Sequence, residues 1–137
     1  MKLFLAQTDP HWDSVLRDVL EEVLETERTH VGLVVRTTPE ATRANIQTAT
    51  AVFGNWSISD YEAVGELAYA AGVGRPVYIV SKNGPPPWFC SGLGHGGHYP
   101  SAHRAAVAFI RDMMARREAR ASEDAAQDRQ QQHLSKT

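Results

Sequence analysis

The sequence feature that most constrains the fold is a helix signature followed at once by a buried-strand signature, over residues 59–80. Ser59 and Glu62 have the spacing of a capping box, which predicts the start of a helix. A Gly-x-Gly-x-Pro run at residues 72–76 predicts its end. The apolar run at residues 77–80 is typical of a strand that is covered on both faces. The pair predicts one helix–strand unit of an α/β protein.

Helical spacing divides the residues of this helix between two faces. Glu66 lies one to two turns inside the helix, which starts at the carboxyl end of the preceding predicted strand. Ligands of open α/β sheets bind at that end of the strands, so Glu66 is a candidate site residue. The predicted apolar stripe is Val64, Leu67, Ala68 and Ala71, and the predicted polar face is Glu62, Glu66 and Tyr69.

Strand and helix patterns alternate along the rest of the chain. Two dipeptides that combine a capping residue with proline, Asp9-Pro10 and Thr38-Pro39, predict helix starts. This alternation predicts an α/β fold with a parallel sheet. The predicted strands are residues 2–7, 30–35, 49–53 and 77–80, with a short fifth strand near Trp88. A turn-rich loop is predicted at residues 54–57. The last predicted helix begins at Pro100 or Ser101, and its apolar stripe is Val107, Phe109, Ile110, Met113 and Met114.

Charge and cysteine content exclude several classes of function. The 14 basic and 16 acidic residues give a net charge of −2, which does not favour a nucleic acid polymer as partner. The one cysteine, Cys90, leaves no internal disulfide framework and suits a reducing compartment. The apolar segment at residues 3–6 is too short to span a membrane. We therefore expect a soluble, cytoplasmic protein that binds neither a nucleic acid polymer nor a membrane.

No sequence motif calls for a cofactor. Neither the G-x-G-x-x-G dinucleotide fingerprint nor the phosphate-binding P-loop motif occurs in the chain. His95, His98 and His103 lie near Cys90, but their spacing matches no standard zinc pattern. We expect no metal and no cofactor, and we interpret the Gly/His segment as a flexible loop that closes over a pocket.

Two carboxylates, Asp60 and Glu66, are separated by five residues. Two carboxylates at one pocket can divide the work of glycosidic cleavage, because one attacks the anomeric carbon while the other handles protons or orients the sugar. The alternatives are that Asp60 pairs with the helix dipole and that Glu66 is a solvated surface residue. Spacing alone leaves both interpretations open.

The same stretch resembles the nucleoside 2-deoxyribosyltransferase family. Residues 60–77 read D-x5-E-L-A-Y-A-x3-G-R-P-V, close to the family pattern D-x5-E-L-G-Y-A-x3-G-K-P-V, and residues 2–6 are similar to its opening strand. The resemblance covers about residues 2–81 and implies a Rossmann-like open parallel sheet of four to five strands flanked by helices. It implies a homo-oligomer, with Glu66 as nucleophile on C1′ of a 2-deoxyribonucleoside and Asp60 on the sugar hydroxyls.

The apolar periodicity of the last helix ends near Arg117, which predicts a domain boundary, and the site residues are expected to include a set of ligand contacts. We expect a domain at residues 1–117 and a helical extension or disordered tail at 118–137. Related members of the family hydrolyse nucleoside monophosphates, so transfer to a base and hydrolysis both remain open. The expected substrate-binding residues are Gln7, Asp9, Asn55, Trp56, Tyr69 and Ser91, with Trp56 stacking on the base or, alternatively, packing its loop onto the sheet.

Two differences from the family pattern support a second interpretation. The glycine after the Glu-Leu pair is Ala68, and the family's alanine–aspartate pair is Ala49-Thr50 here. A protein that lost the second acid could still bind its ligand. The alternative function is therefore a non-catalytic protein that binds a nucleotide or nucleoside derivative on the same fold.

Overall fold

The computed structural model describes residues 1–6, 12, 14–19, 32–56, 61–80 and 96–135. Five strands and three helices are bounded in this part of the chain, and residues 14–19 are helical as well. The strands are β1 (Lys2–Leu5), β2 (Gly32–Val35), β3 (Ala51–Asn55), β4 (Val77–Val80) and β5 (Gly96–Tyr99), and the helices are α1 (Pro39–Gln47), α2 (Tyr61–Gly72) and α3 (Ala102–Ser135).

All five strands belong to one sheet in the order β2-β1-β3-β4-β5. Each neighbouring pair is parallel, so the carboxyl ends of all strands meet at one edge. Strand order reverses around β1, which has β2 on one side and β3 on the other. The predicted Rossmann-like α/β class, with its open parallel sheet flanked by helices, is confirmed.

Helices cover both faces of the sheet, which explains why its central strands are mostly apolar. Alternate residues of each strand enter two separate cores. One core lies between the sheet on one side and α3, Trp12 and residues 14–19 on the other. It includes Leu3, Leu5, Trp12, Leu16, Phe53, Tyr78, Phe109 and Met113. The other, between the sheet and helices α1 and α2, includes Phe4, Ala6, Ile46, Val52, Ala63, Leu67, Val77 and Ile79.

The buried face of α2 is rotated from the predicted apolar stripe. Its buried residues are Ala63, Glu66, Leu67 and Ala70, whereas Val64 and Ala68 are only partly buried. Alanine, valine and glycine are spread around the whole helix, so periodicity alone did not fix which side faces the sheet. This rotation places the Glu66 carboxylate at the margin of the core.

Helix α2 ends in a Schellman motif. Gly74 has a φ of 82° and its amide donates to the Ala71 carbonyl oxygen at 3.1 Å. The Arg75 amide donates to the Ala70 carbonyl oxygen at 2.9 Å. The predicted glycine stop is confirmed, while the Ser59 side of the capping box lies outside the described residues.

The third strand lies two residues later than predicted, at Ala51–Asn55, and the prediction of a loop at Gly54 and Asn55 was wrong. Gly54 serves close packing in a strand, because a Cβ there would lie 3.0 Å from Ala6 Cβ and 3.2 Å from a Leu67 methyl carbon. Glycine inside a strand often marks such an approach. The strand therefore continues to Asn55 at the carboxyl edge of the sheet.

This close packing predicts opposite effects for two identical substitutions. Gly54→Ala should lower the free energy of unfolding by about 1–3 kcal/mol, because neighbouring groups must shift to admit the methyl group. Gly65→Ala, in the interior of α2 with no atom within 4 Å of the new Cβ, should raise it by about 0.5–1 kcal/mol. Urea titration of both variants measures the difference. Equal effects would show that the two sites are packed alike.

The fifth strand, Gly96–Tyr99, lies in the Gly/His segment that was interpreted as a flexible loop. It pairs with β4, and His98 is opposite Ile79. The loop interpretation was wrong for these residues because backbone hydrogen bonds to β4 stabilise the strand although two of its four residues are glycine. Trp88, the predicted centre of the fifth strand, lies outside the described residues.

Helix α3 begins after Ser101, whose hydroxyl accepts from the Arg104 amide at 3.2 Å. Two of its predicted core residues were wrong, since Val107 is 37% and Met114 is 49% exposed. Small residues, Ala105 and Ala106, face the sheet instead and let the helix approach closely.

Beyond Met113, helix α3 has no buried residue up to its end at Ser135. Residues 118–135 are exposed throughout. We therefore propose that the compact domain ends near Arg117. Among the described residues, no helix has both the length and the apolar character that crossing a membrane requires.

Tyr78 links β4 to α3, and its titration predicts a loss of stability in alkali. Burial raises the pKa of the Tyr78 phenol, and the hydrogen bond to Asp112, 2.6 Å long, raises this pKa further. Below about pH 10, the ordinary tyrosine value, both folded and unfolded chains keep the proton. Above it the unfolded chain loses the proton first, so the free energy of unfolding should fall as pH rises.

Urea unfolding at pH 9 and at pH 11 measures this loss. Tyr78→Phe, which has no phenol proton, should show a smaller fall between the two pH values than the parent. An equal fall in both proteins would show that Tyr78 does not carry the effect.

Candidate functional site

The site is built where β2 ends, at the carboxyl edge of the sheet. Arg36 directly follows β2, and Thr38 then caps α1 by accepting from the Ala41 amide at 3.2 Å. Thr42 reaches back from the first turn of α1 and accepts from the Thr37 amide at 3.0 Å. These local hydrogen bonds fix the turn from β2 into α1. They place the Arg36 side chain over the neighbouring strand ends.

Helix α2 presents two glutamates to this turn. Glu62 and Glu66 are four residues apart, so they point to the same side of the helix. Their environments differ strongly, because the Glu66 side chain is 10% exposed and that of Glu62 is 59% exposed. Glu66 is therefore held at the margin of the core, while Glu62 is largely in solvent.

Arg36 joins the two glutamates to the sheet. Its Nε donates to Glu66 Oε1 at 2.5 Å, and its Nη2 forms an ion pair with the same oxygen. Its Nη1 donates to Glu62 Oε2 at 2.5 Å. A weaker bond of 3.4 Å runs from Nη2 to the carbonyl oxygen of Ala6, just after β1. One guanidinium thus contacts both carboxylates and the end of the neighbouring strand.

A pocket of about 470 Å³ opens beside these groups, between α1 and α2. Its volume is within the range of small-molecule sites. Both polar and apolar residues line it, and Glu66 is one of them. The lining residues are Arg36, Thr37, Pro39, Thr42, Arg43, Ile46, Glu62, Gly65, Glu66 and Tyr69.

Tyr69 lines the pocket from the last turn of α2. Its hydroxyl accepts from Gln47 Nε2 at 2.6 Å, which ties the last turn of α2 to the last turn of α1. Its ring packs against the core beneath the two helices. The hydroxyl is held by this bond, and Tyr69 is one of the residues that line the same pocket as Glu66.

The predicted site residues fall into three groups. Glu66 and Tyr69 lie together on the pocket. Asn55 and Trp56 are not among its lining residues: the Asn55 Oδ1 accepts from Trp12 Nε1 at 2.8 Å, and the Trp56 side chain is half-buried against the core beneath α2. The others, Gln7, Asp9, Asp60 and Ser91, lie outside the described residues.

Arg36 was not predicted as a partner of Glu66. Its position after a predicted strand was a signal, because a charged residue at the carboxyl end of a parallel strand is at the ligand-binding edge. Its contact with Glu66 spans 30 residues of sequence, and no local spacing rule reports such a pair. In the described part of the chain, no group of three or more His, Cys, Asp or Glu side chains is placed to hold a metal ion.

No protein-family model and no curated protein matches the sequence. Among solved structures, the chain is similar to a 2-deoxyribosyltransferase from the psychrotolerant bacterium Bacillus psychrosaccharolyticus, with a TM-score of 0.48 and 15% identity. The similarity covers 77% of this chain and 90% of that chain. A likeness of this size says nothing about activity, so activity must be inferred from the residues at the pocket.

Proposed function

We propose that this protein cleaves the N-glycosidic bond of 2-deoxynucleosides or their monophosphates through a covalent glycosyl-glutamate on Glu66. One observation carries the proposal. Glu66 is a carboxylate with a 10% exposed side chain, and it lines a pocket of about 470 Å³ at the carboxyl edge of a parallel sheet. A solvated surface glutamate would not be enclosed in this way, so the burial supports the functional interpretation of this residue.

The chemistry assigned to Glu66 proceeds in two displacements. A carboxylate oxygen of Glu66 attacks C1′, the bond from C1′ to the base nitrogen breaks, and its electron pair leaves with the base, which takes up a proton. A nitrogen of a second base, or water, then attacks C1′ and loses a proton. The ester bond breaks, its electron pair returns to Glu66, and the configuration at C1′ is retained.

Asp60 is assigned to the sugar hydroxyls. It immediately precedes α2 in the sequence, and five residues separate it from Glu66. The resemblance of residues 60–77 to the nucleoside 2-deoxyribosyltransferase pattern is the second support for this pair. Gln7, Asp9, Asn55, Trp56, Tyr69 and Ser91 are proposed as further substrate contacts, and Tyr69 among them lines the pocket.

A second candidate function is binding without turnover. It is favoured by the ion pair between Arg36 and Glu66, because a carboxylate held by a guanidinium can serve structure rather than attack. On this alternative the pocket binds a nucleotide or nucleoside derivative that is never cleaved. The Ala49-Thr50 pair, where the family pattern has an acid, supports the same alternative.

One incubation separates the two functions. The purified protein is mixed with each 2-deoxynucleoside or its monophosphate and with a second free base, and the products are resolved by chromatography. Base exchange identifies transfer, and base release alone identifies hydrolysis. A calorimetric binding signal with neither product would support the binding protein and contradict the proposed enzyme.

The proposal includes a homo-oligomer. Tyr61, at the start of α2 beside Glu62, is 78% exposed, and a large aromatic side chain in that position suits a subunit contact. We expect sedimentation velocity at micromolar concentration to show a dimer or a larger assembly. A monomer under these conditions would contradict this part of the proposal.

A further inference from the structure

Arg36 is fixed in both position and orientation by the groups around it. Its planar guanidinium contacts Glu66 through Nε and Nη2, Glu62 through Nη1, and the Ala6 carbonyl oxygen through Nη2. A guanidinium presents its donors in one rigid plane, so contacts on three sides define how that plane lies. The arginine is therefore a fixed part of the pocket wall.

Exposure falls from Glu62 through Arg36 to Glu66. Their side chains are 59%, 30% and 10% exposed. Solvent screens the outer pair with Glu62, whereas the pair with Glu66 lies where water is largely excluded and Coulomb attraction is stronger. The inner pair consequently controls Glu66, and the outer pair holds Arg36 in place.

A nucleophilic carboxylate has two requirements that this arrangement meets. It must be ionised, and it must keep one side-chain conformation relative to C1′. A cation on Glu66 Oε1 favours the charged form, and the fixed plane of the guanidinium limits rotation of the carboxylate. In the second displacement Glu66 leaves as a carboxylate, and a cation already in place stabilises the charge that returns to it.

We propose that Arg36 is the positioning residue for Glu66, and that Glu62 in turn holds Arg36. This inference rests on the proposed function, because it takes Glu66 as the nucleophile. In the described part of the chain, the titratable groups at the pocket around Glu66 are Arg36 after β2, Glu62 and Tyr69 on α2, and Arg43 on α1. Of these, Arg36 has the hydrogen bond to the carboxylate.

The test compares Arg36→Met and Arg36→Lys with a matched arginine elsewhere. Arg104→Met is the control, because Arg104 is exposed and lies on α3, the helix that packs against the opposite face of the sheet. For Arg36→Met we expect the acid limb of kcat/KM to move to higher pH by about one unit or more. We also expect kcat to fall at least about tenfold. Arg36→Lys keeps the positive charge but lacks the planar guanidinium with its several donors. The acid limb should therefore stay at the pH of the parent's, while kcat falls.

A second readout needs no turnover. The carboxyl carbon of Glu66, assigned by its absence in Glu66→Gln, is followed by NMR as a function of pH. In Arg36→Met this carboxyl should take up its proton about one pH unit or more higher than in the parent and in Arg104→Met. If Arg36→Met does not fold, the titration of Glu66 is compared between the parent, Arg36→Lys and Glu62→Gln. Glu62→Gln should shift this titration by less than the shift expected for Arg36→Met.

The two readouts separate failure of this inference from failure of the proposed function. A parent with turnover whose acid limb and Glu66 titration are unchanged in Arg36→Met would overturn the role of Arg36. If the parent shows no turnover, both the proposed enzymatic function and the positioning role of Arg36 are contradicted. This holds even where the shifted titration of Glu66 establishes its contact with Arg36. Restored turnover of Arg36→Met on addition of a small guanidinium salt would support the role directly.

Discussion

Glu66→Ala should abolish glycosidic cleavage, with turnover reduced at least about a thousandfold. The reason is chemical: without the carboxylate no glycosyl ester can form, and an alanine at that position offers no replacement nucleophile. Alanine is the best helix former, so α2 should persist, and Arg36 keeps its contacts with Glu62 and the Ala6 carbonyl oxygen. Turnover is measured as base release from the deoxynucleoside that the parent cleaves best.

Two companion variants make the Glu66 result specific. Glu66→Gln keeps the shape and one oxygen for Arg36 but removes the charge, and it should be as inactive as the alanine variant. Glu62→Gln alters a carboxylate four residues away that is 59% exposed, and it should lose less activity because Glu62 acts on Glu66 only through Arg36. Wild-type turnover in Glu66→Ala would show that the nucleophile is another residue.

Phe53→Ala should lower the free energy of unfolding by about 3–5 kcal/mol. Phe53 is fully buried at the centre of one core, with ring centroids 5.6 Å from Trp12, 5.2 Å from Tyr78 and 5.5 Å from Phe109. Truncation leaves a cavity among three rings on three different elements, which cannot all move inward together. Domains have a total stability of only about 5–15 kcal/mol, so this one change should remove a large part of it.

Urea unfolding followed by tryptophan fluorescence measures the effect of Phe53→Ala. Leu134→Ala is the control, since it also truncates a large apolar side chain but one that is 66% exposed, and it should change stability by less than about 0.5 kcal/mol. A loss below about 1 kcal/mol in Phe53→Ala would show that the surrounding rings collapse into the space or that the core is packed differently.

Local signals predicted most of the fold. Thr38-Pro39 placed the start of α1, the glycines after Ala71 placed the end of α2, and the unbroken apolar run Val77–Val80 placed β4. These local signals succeed because each reflects a structural need of its own segment. The needs are a capped amide, a residue with positive φ, and a strand that is covered on both faces. Alternation of strands and helices then restricted the topology to a parallel sheet.

Errors arose where packing between elements decides the local structure. Gly54 was predicted as a turn residue, yet the approach of Ala6 and Leu67 explains the glycine within β3. Gly96–Tyr99 has poor strand propensity but pairs fully with β4. Val107 and Met114 fit the apolar spacing predicted for α3. They are exposed, however, and Ala105 and Ala106 are the residues buried against the sheet. None of these contacts can be read from the residues of one segment.

The part of the site that α2 supplies was predictable, whereas its contact with Arg36 was not. Spacing along α2 indicated that Glu62, Glu66 and Tyr69 share one side of the helix, and Glu66 and Tyr69 do line one pocket. Arg36 directly follows another part of the fold, strand β2. It reaches Glu66 across the end of β1, because β2 lies next to β1 in the sheet. Such a contact depends on tertiary structure, so the sequence gives no spacing by which to find it.

The most direct test is mass spectrometry of the protein after rapid acid quenching of a reaction with a 2-deoxynucleoside. We expect a fraction of the chains to gain the mass of one deoxyribosyl group. After proteolysis, that group should map to the peptide that contains Glu66, and it should be absent from Glu66→Gln. Base release without any adduct, continuing unchanged in Glu66→Gln, would contradict a glycosyl-glutamate and with it the proposed mechanism.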